Sequence, residues 1–274
     1  MPRTIVIGNI SRDHIHRPGL PPAHQLGGAA LHLSVAAARA GQQIAPASVI
    51  GADLARLTAD PRLPALDWSL LRHDPKPSAS FTIHYDDQGT VADVDTAYGA
   101  AEHLTEHALR TLAHYPHDVF HVSCRRPLHV AEVLNALTAH GCSFSLDFHL
   151  PSAPQLIEAA APWLRRATTV FVNAEEYALL AQVTRTRPCP EVVVTDGPRP
   201  ARVLLHGRAL PAVVPPPVTV RQITGAGDTL AGTYLAHRAR QFSPSDSLHQ
   251  AVQAASRHTA QTPLILPEPR RSPS

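Results

Sequence analysis

A short apolar run, Thr4–Ile10, carries no alternating polar face and is suited to a buried strand. The string AALHLSVAAARA then fills the stretch from Gly28 to Ala40 with helix-forming residues, and Gly41 stands at the position of a helix C-cap. Ile44–Ile50 again reads as a buried strand. The stretch Ser78–Tyr98 differs in kind. Phe81, Ile83 and Tyr85 alternate with polar residues, Asp86-Asp87-Gln88-Gly89 supplies a turn, and Val91, Val94 and Ala97 follow. This pattern predicts a hairpin with one apolar face.

Beyond it the pattern alternates: helix at 102–114, strand Val119–Ser123, helix at 127–140, strand Ser143–Asp147, helix at 153–166 and strand Thr169–Asn173. A helix at 174–183 and a strand Glu191–Thr195 continue the series, a hairpin is predicted at 201–214, and helices at 226–240 and 244–260 close it. Strands alternating with helices predict an α/β fold, with a mostly parallel central sheet flanked by helices on both faces. The expectation is one domain over 1–266 with a small projecting lid, built from the hairpin at 78–98 and a loop at 11–25. Residues 267–274 read as a flexible tail.

The composition is 44% hydrophobic and 17% charged, an ordinary globular balance. A net charge of +2 gives no electrostatic ground for a nucleic-acid or membrane partner. Lys76 is the only lysine, so Mg²⁺, backbone N–H groups or arginine must neutralise most of any bound phosphate. Three cysteines without a CxxC pair, and eighteen histidines without HExxH, point away from a disulfide framework or a zinc site. With no signal-type start and no apolar run near the roughly 20 residues that span a bilayer, a cytoplasmic protein is expected.

The most informative stretch is Thr224-Gly225-Ala226-Gly227-Asp228-Thr229, directly ahead of the helix-forming string LAGTYLAHRA. Two glycines let the backbone turn tightly at a helix N-terminus, where free N–H groups and the dipole favour an anion. An aspartate one residue further on can face an acceptor hydroxyl while those N–H groups hold a transferring phosphoryl group. Taken alone, GxGD also suits a plain helix start with an N-terminal carboxylate.

TGAGDTLAG resembles the C-terminal signature of the ribokinase-like (PfkB) carbohydrate kinases. Leu26-Gly27-Gly28-Ala29-Ala30-Leu31-His32 resembles their N-terminal signature, Asn173-Ala174-Glu175-Glu176 their NxxE element, and Val193-Val194-Thr195-Asp196-Gly197 their nucleotide-side strand end. The four occur in family order and span nearly the whole chain. The resemblance implies that Asp228 is the general base and Gly225, Ala226 and Gly227 the anion hole. It implies that Asp13, Gly27, Gly28 and His32 bind the acceptor. Asn173, Thr195 and Gly197 would approach the nucleotide, and Ala254, Ala255 and His258 would flank adenine. Glu176 would hold Mg²⁺ through water, ATP and Mg²⁺ being the implied cofactors.

Three positions depart from the family pattern. His32 replaces an acceptor-contacting Asn, Gln222 replaces the Asp that starts the second signature, and Pro200 replaces a common glycine. The Gln222 exchange puts a monovalent-cation site in doubt. The GN…D start, the LGGAA segment and the compact chain resemble the inositol-kinase branch. The reading is therefore an ATP-dependent kinase of a sugar or cyclitol, a small polyhydroxy partner, with a homodimer formed through the lid. Its alternatives are a nucleoside kinase and a non-catalytic sugar-binding or regulatory member. A dinucleotide-dependent oxidoreductase is excluded by the absence of GxGxxG after the first strand.

Overall fold

In the computed structural model, which describes residues 3–87, 91–150, 152–184 and 188–266, β1 (Thr4–Ile7) lies inside a nine-stranded sheet. β2 (Ser11–His16) and β3 (Ala23–Gly27) leave that sheet, and α1 (Ala29–Arg39) returns the chain to it. β4 (Ile44–Gly51) and β5 (Leu71–Asp74) extend it, then β6 (Ala79–Tyr85) and β7 (Val91–Ala97) leave again. Next come α2 (Leu104–His114), β8 (Val119–Cys124), α3 (Val130–Ala139), β9 (Ser143–Phe148) and α4 (Ala153–Ala160). β10 (Val170–Asn173), α5 (Ala174–Val183), β11 (Glu191–Asp196), β12 (Arg199–Leu205) and β13 (Arg208–Ala209) follow. α6 (Ala226–Ala239) and α7 (Pro244–Ala260) complete the series.

The large sheet runs β13-β12-β11-β10-β9-β8-β1-β4-β5, parallel throughout except at one edge, where β12 runs antiparallel to both β11 and β13. This is the predicted α/β architecture. Successive strand residues point to opposite faces, and the core divides accordingly. Ile5 and Ile7 pack on one side with Leu112 of α2, Leu134 of α3 and Ile157 of α4. Val6 and Val193 pack on the other with Leu33 of α1, Tyr234 of α6 and Leu248 of α7. Among the described residues no helix is long and apolar enough to cross a membrane.

Two expectations need correction here. The stretch 11–25 is not a loop: β2 and β3 pair with each other, and β2 runs parallel to β6, giving a four-stranded sheet β3-β2-β6-β7. β2 escapes the strand pattern because its buried positions are Ser11, Asp13 and Ile15, so polar residues occupy the inward face. The outer edge of β3 is also covered. Leu26 N–H donates to Leu264 O and Leu266 N–H to His24 O, both at 2.8 Å. The helix expected at 153–166 stops at Ala160, ahead of Pro162, and resumes only as a short 3₁₀ turn at Leu164–Arg166. The tail at 267–274 and the turn residues Gln88 and Gly89 lie outside the described residues.

Candidate active site

The carboxyl ends of the parallel strands converge with the N-terminus of α6, the place where open α/β sheets hold their ligands. Gly225 takes φ +79° ahead of α6, a left-handed conformation costly to any residue with a side chain. A Cβ there would also fall 2.5 Å from Cγ of His32. A Cβ on Gly227 would meet nothing within 4 Å, so the turn opens outward at that residue. The Ala226 N–H is bonded to Ile223 O at 3.2 Å, so of the three residues expected to form the anion hole this one turns its donor inward.

Asp228, in the first turn of α6, is only 6% exposed. Its Oδ1 accepts a hydrogen bond from Nη2 of Arg125 at 2.6 Å, and the same nitrogen donates to Oδ2 of Asp147 at 2.7 Å. Arg125 follows β8 and Asp147 lies near the end of β9, so adjacent strands deliver two members of this ion-paired triad and α6 the third. Burial opposes the charge on Arg125, but the two carboxylates hold the guanidinium well above its usual range. Burial likewise opposes ionised Asp147, and Arg125 with His121 keeps it well below the usual carboxylate range. His149, just beyond β9, is pushed down to about 4 by burial, with Arg125 adding to the effect. Sequence reasoning missed Arg125. Its one signal was a charged residue directly after a buried strand.

Asp13 faces the same space from β2. It is 4% exposed, its Oδ1 accepts from Ser11 Oγ at 2.7 Å, and Gly27 lies so close that a Cβ there would fall 2.0 Å from Asp13 Oδ2. Burial pushes the Asp13 carboxyl up to about 6, and the Asp228 charge adds to the rise. Gly28, at φ +98°, brings the start of α1 against the carbonyl of Asn9. Asp13, Gly27, Gly28, Gly225, Gly227 and Asp228 are thus brought together.

Asn173 and Glu176 form a capping box at the head of α5: Asn173 Oδ1 accepts from Glu176 N at 2.9 Å, and Glu176 Oε2 from Asn173 N at 2.8 Å. Glu176 Oε1 also accepts from Leu150 N at 3.0 Å, tying the end of β9 to that of β10. Burial pushes Glu176 up to about 7 although both backbone donors oppose it. Thr195 lies level with Asn173 in the parallel register, and Gly197, at φ +56°, turns the chain into β12. Among the described residues no group of three or more acidic, histidine or cysteine side chains converges as a metal cage. A cation that keeps its waters and bridges phosphates suits such a donor set better than a closed site would.

His32 and His258, expected at the acceptor and the nucleotide, stand together behind the turn. The His258 ring bonds through Nε2 to Thr224 O at 2.8 Å and stands edge-on to His32, centroids 5.4 Å apart. Helix geometry turns His258 and Ala254 to the inner side of α7. The side facing the 213–218 segment carries His249, Val252, Gln253 and Ser256, with Arg257 on the border between the two sides. There a groove of about 290 Å³ runs between α7 and Val213, Val214, Pro216 and Val218. Val214 is 70% exposed beside it. His32, expected at the acceptor, lies buried under Gly225. Lys76 is ion-paired to Glu102, away from this site.

A family model described as pfkB family carbohydrate kinase matches residues 19–270. The cytidine kinase of Thermococcus kodakarensis is 26% identical over 251 residues, covering 86% of this chain and 88% of the relative. Among solved structures, Burkholderia thailandensis nucleoside kinase in complex with inosine superposes with a TM-score of 0.79 at 18% identity, covering 94% of this chain and 90% of the other. Ribokinase from Cryptococcus neoformans in complex with ADP gives 0.77 at 17% identity, with 96% of each chain covered.

Proposed function

This chain belongs to the pfkB carbohydrate kinase family, and we propose that it transfers the γ-phosphoryl group of ATP to a hydroxyl of a small polyhydroxy acceptor in the cytoplasm. The observation that carries this reading is the position of Asp228: buried, one helical turn from the left-handed Gly225, and sharing its surroundings with Asp13. Arg125 occupies Oδ1 of Asp228, and Oδ2 has no hydrogen-bond partner among the described residues. That oxygen takes the acceptor's proton while the acceptor O–P bond forms and the bond from Pγ to the bridging oxygen of ADP breaks.

The groove beside Val214 and Val218 suits a flat apolar base, with the phosphates directed toward Gly227. Arg125 is the cation at hand to meet their charge, since the single lysine is engaged elsewhere. Bound Mg²⁺ would neutralise phosphate charge, with Glu176 and Asn173 holding it through water near Thr195 and Gly197. Asp13, Gly27 and Gly28 bind acceptor hydroxyls, and the four-stranded sheet serves as the lid that excludes water.

The acceptor is a sugar, a cyclitol or the ribose of a nucleoside. The nucleoside reading is favoured by the register that sets Asp13 beside Phe81 on one face of the lid, a carboxylate for ribose next to a ring that can cover a base. The likeness to a cytidine kinase supports it. Incubating a panel of sugars, cyclitols and nucleosides with ATP and Mg²⁺, followed by mass spectrometry, tests the proposal. A phosphorylated product that disappears with Asp228→Asn is expected. Neither a phosphorylated product nor ATP consumption across a broad panel would instead favour a non-catalytic binding role.

A further inference from the structure

A second cavity, of about 360 Å³, lies between α1, α6 and α7, and the phosphoryl-transfer reading leaves it unused. Its wall includes His32 and Arg39 of α1, His237 of α6, Arg257 and His258 of α7, and Gln222. Among the described residues no carboxylate lines it, and neither Arg39 nor Arg257 has an ion-pair partner. Two ring nitrogens of those side chains, His32 Nε2 and His237 Nδ1, are buried without a hydrogen-bond partner. His32 itself is only 8% exposed. Buried polar atoms without partners are uncommon in folded proteins and call for a physical reason.

The charge pattern selects the occupant. Two arginines with no facing acid repel a cation and attract an anion. Burial pushes His32 down to about 4, so at neutral pH its ring contributes hydrogen bonding and no charge. The polar remainder, Gln222 among it, suits oxygen-rich ligands. The volume is of the size that holds a small organic molecule and exceeds the needs of a bare ion.

We propose that this cavity is an effector site for a small phosphate monoester, bound by Arg39 and Arg257 with His32 and His237 as hydrogen-bonding partners, and that its occupancy acts on the catalytic turn. The wall of the cavity is the back of that turn. His32 lies directly under Gly225, and His258 holds the Thr224 carbonyl at 2.8 Å. Fixing those two rings fixes the backbone that precedes Asp228. The coupling rests on the kinase reading above, whereas the binding does not.

The test uses the full chain with its active site filled by Mg²⁺ and a non-hydrolysable ATP analogue. Glycerol 2-phosphate is titrated by calorimetry at fixed ionic strength, with glycerol and KCl as neutral and cationic controls. One-to-one binding is expected, weakened at least tenfold by Arg39→Gln and by His237→Phe, with the melting temperature of the unliganded variants unchanged. Absence of binding, binding that ignores both substitutions, or equal binding of glycerol or K⁺ overturns the site. Because Arg39→Gln locates the ligand without reference to turnover, this result holds even if no acceptor is ever phosphorylated. With an acceptor in hand, glycerol 2-phosphate should change kcat or acceptor KM threefold or more in the parent and not in Arg39→Gln. Binding without that change overturns the effector role.

Discussion

One nitrogen of Arg125 joins two carboxylates, reaching Asp228 Oδ1 at 2.6 Å and Asp147 Oδ2 at 2.7 Å. Removing the guanidinium leaves two buried acids facing each other. Loss of one partner from a buried ion pair typically costs about 3–5 kcal/mol, and loss of a charge that meets a transferring group lowers turnover about 10²–10³-fold. Arg125→Ala should therefore fail on both counts. Arg125→Lys should keep most of the stability while losing turnover, because one ammonium can bridge the two acids but has no second nitrogen to offer the phosphates. Thermal melts and kcat on the pair separate the two effects, and full activity in Arg125→Lys would rule out a directional role.

Asp228→Asn keeps shape and hydrogen bonding but cannot accept the proton. Turnover should fall ~10²–10⁴-fold or more, with ATP affinity within a few-fold of the parent. A variant that turns over near the parental rate removes Asp228 from the role of base.

Asp13 sets a pH dependence. Its carboxyl is pushed up to about 6, mainly by burial. The ionised form accepts acceptor hydroxyls, so kcat/KM for the acceptor should fall about tenfold per unit as pH drops below that value. Stability runs the other way. A carboxyl whose folded pKa is raised stabilises the fold when protonated, and that contribution is lost as pH rises from about 4 through about 6. Asp13→Asn should thus raise the melting temperature at neutral pH while raising acceptor KM. A kcat/KM profile flat from pH 5 to 8 excludes the assignment.

Removal of divalent metal by chelation should abolish transfer, and K⁺ should add little. Gln222 presents an amide where the family pattern has a carboxylate, and that amide donates to His258 O at 3.1 Å. A K⁺ titration at fixed ionic strength decides the matter. Large saturable activation would mean that other ligands rebuild a cation site.

Phe81→Ala should raise acceptor KM and increase ATP hydrolysis without acceptor, since the ring shares its face with Asp13. β7 leaves the other edge of the small sheet open, with Val94 42% exposed, and such an edge invites pairing with a second copy. Light scattering should report a dimer that Val94→Arg dissociates. A monomeric parent would show that the edge is left unpaired.

The parallel sheet was legible because its strands are continuous apolar runs and its helices carry recognisable boundaries, as at Asn173-Ala-Glu-Glu176. β2 was illegible for the opposite reason: Ser11 and Asp13 put polarity where a strand normally buries carbon. β5, with the sequence LRHD, is an edge strand too short and polar to betray itself. Within the site, residues carried by signatures could be located in advance. Arg125 could not, since its partners Asp147 and Asp228 are remote in sequence and only the fold brings them together. Similarly, nothing in α7 alone reveals that His258 reaches the Thr224 carbonyl, a contact that only the fold brings about.

The bridge between Gln25 and Ile265 also constrains the order of assembly. A ribosome makes β3 before α1 and its covering segment after α7. Until then the strand that carries Gln25 beside Asp13 has one bare edge, while the large sheet can already pair strand by strand. The large sheet can therefore assemble during translation, whereas α7, one wall of the groove, is made late. The small sheet that carries Asp13 is finished only once the segment after α7 has emerged.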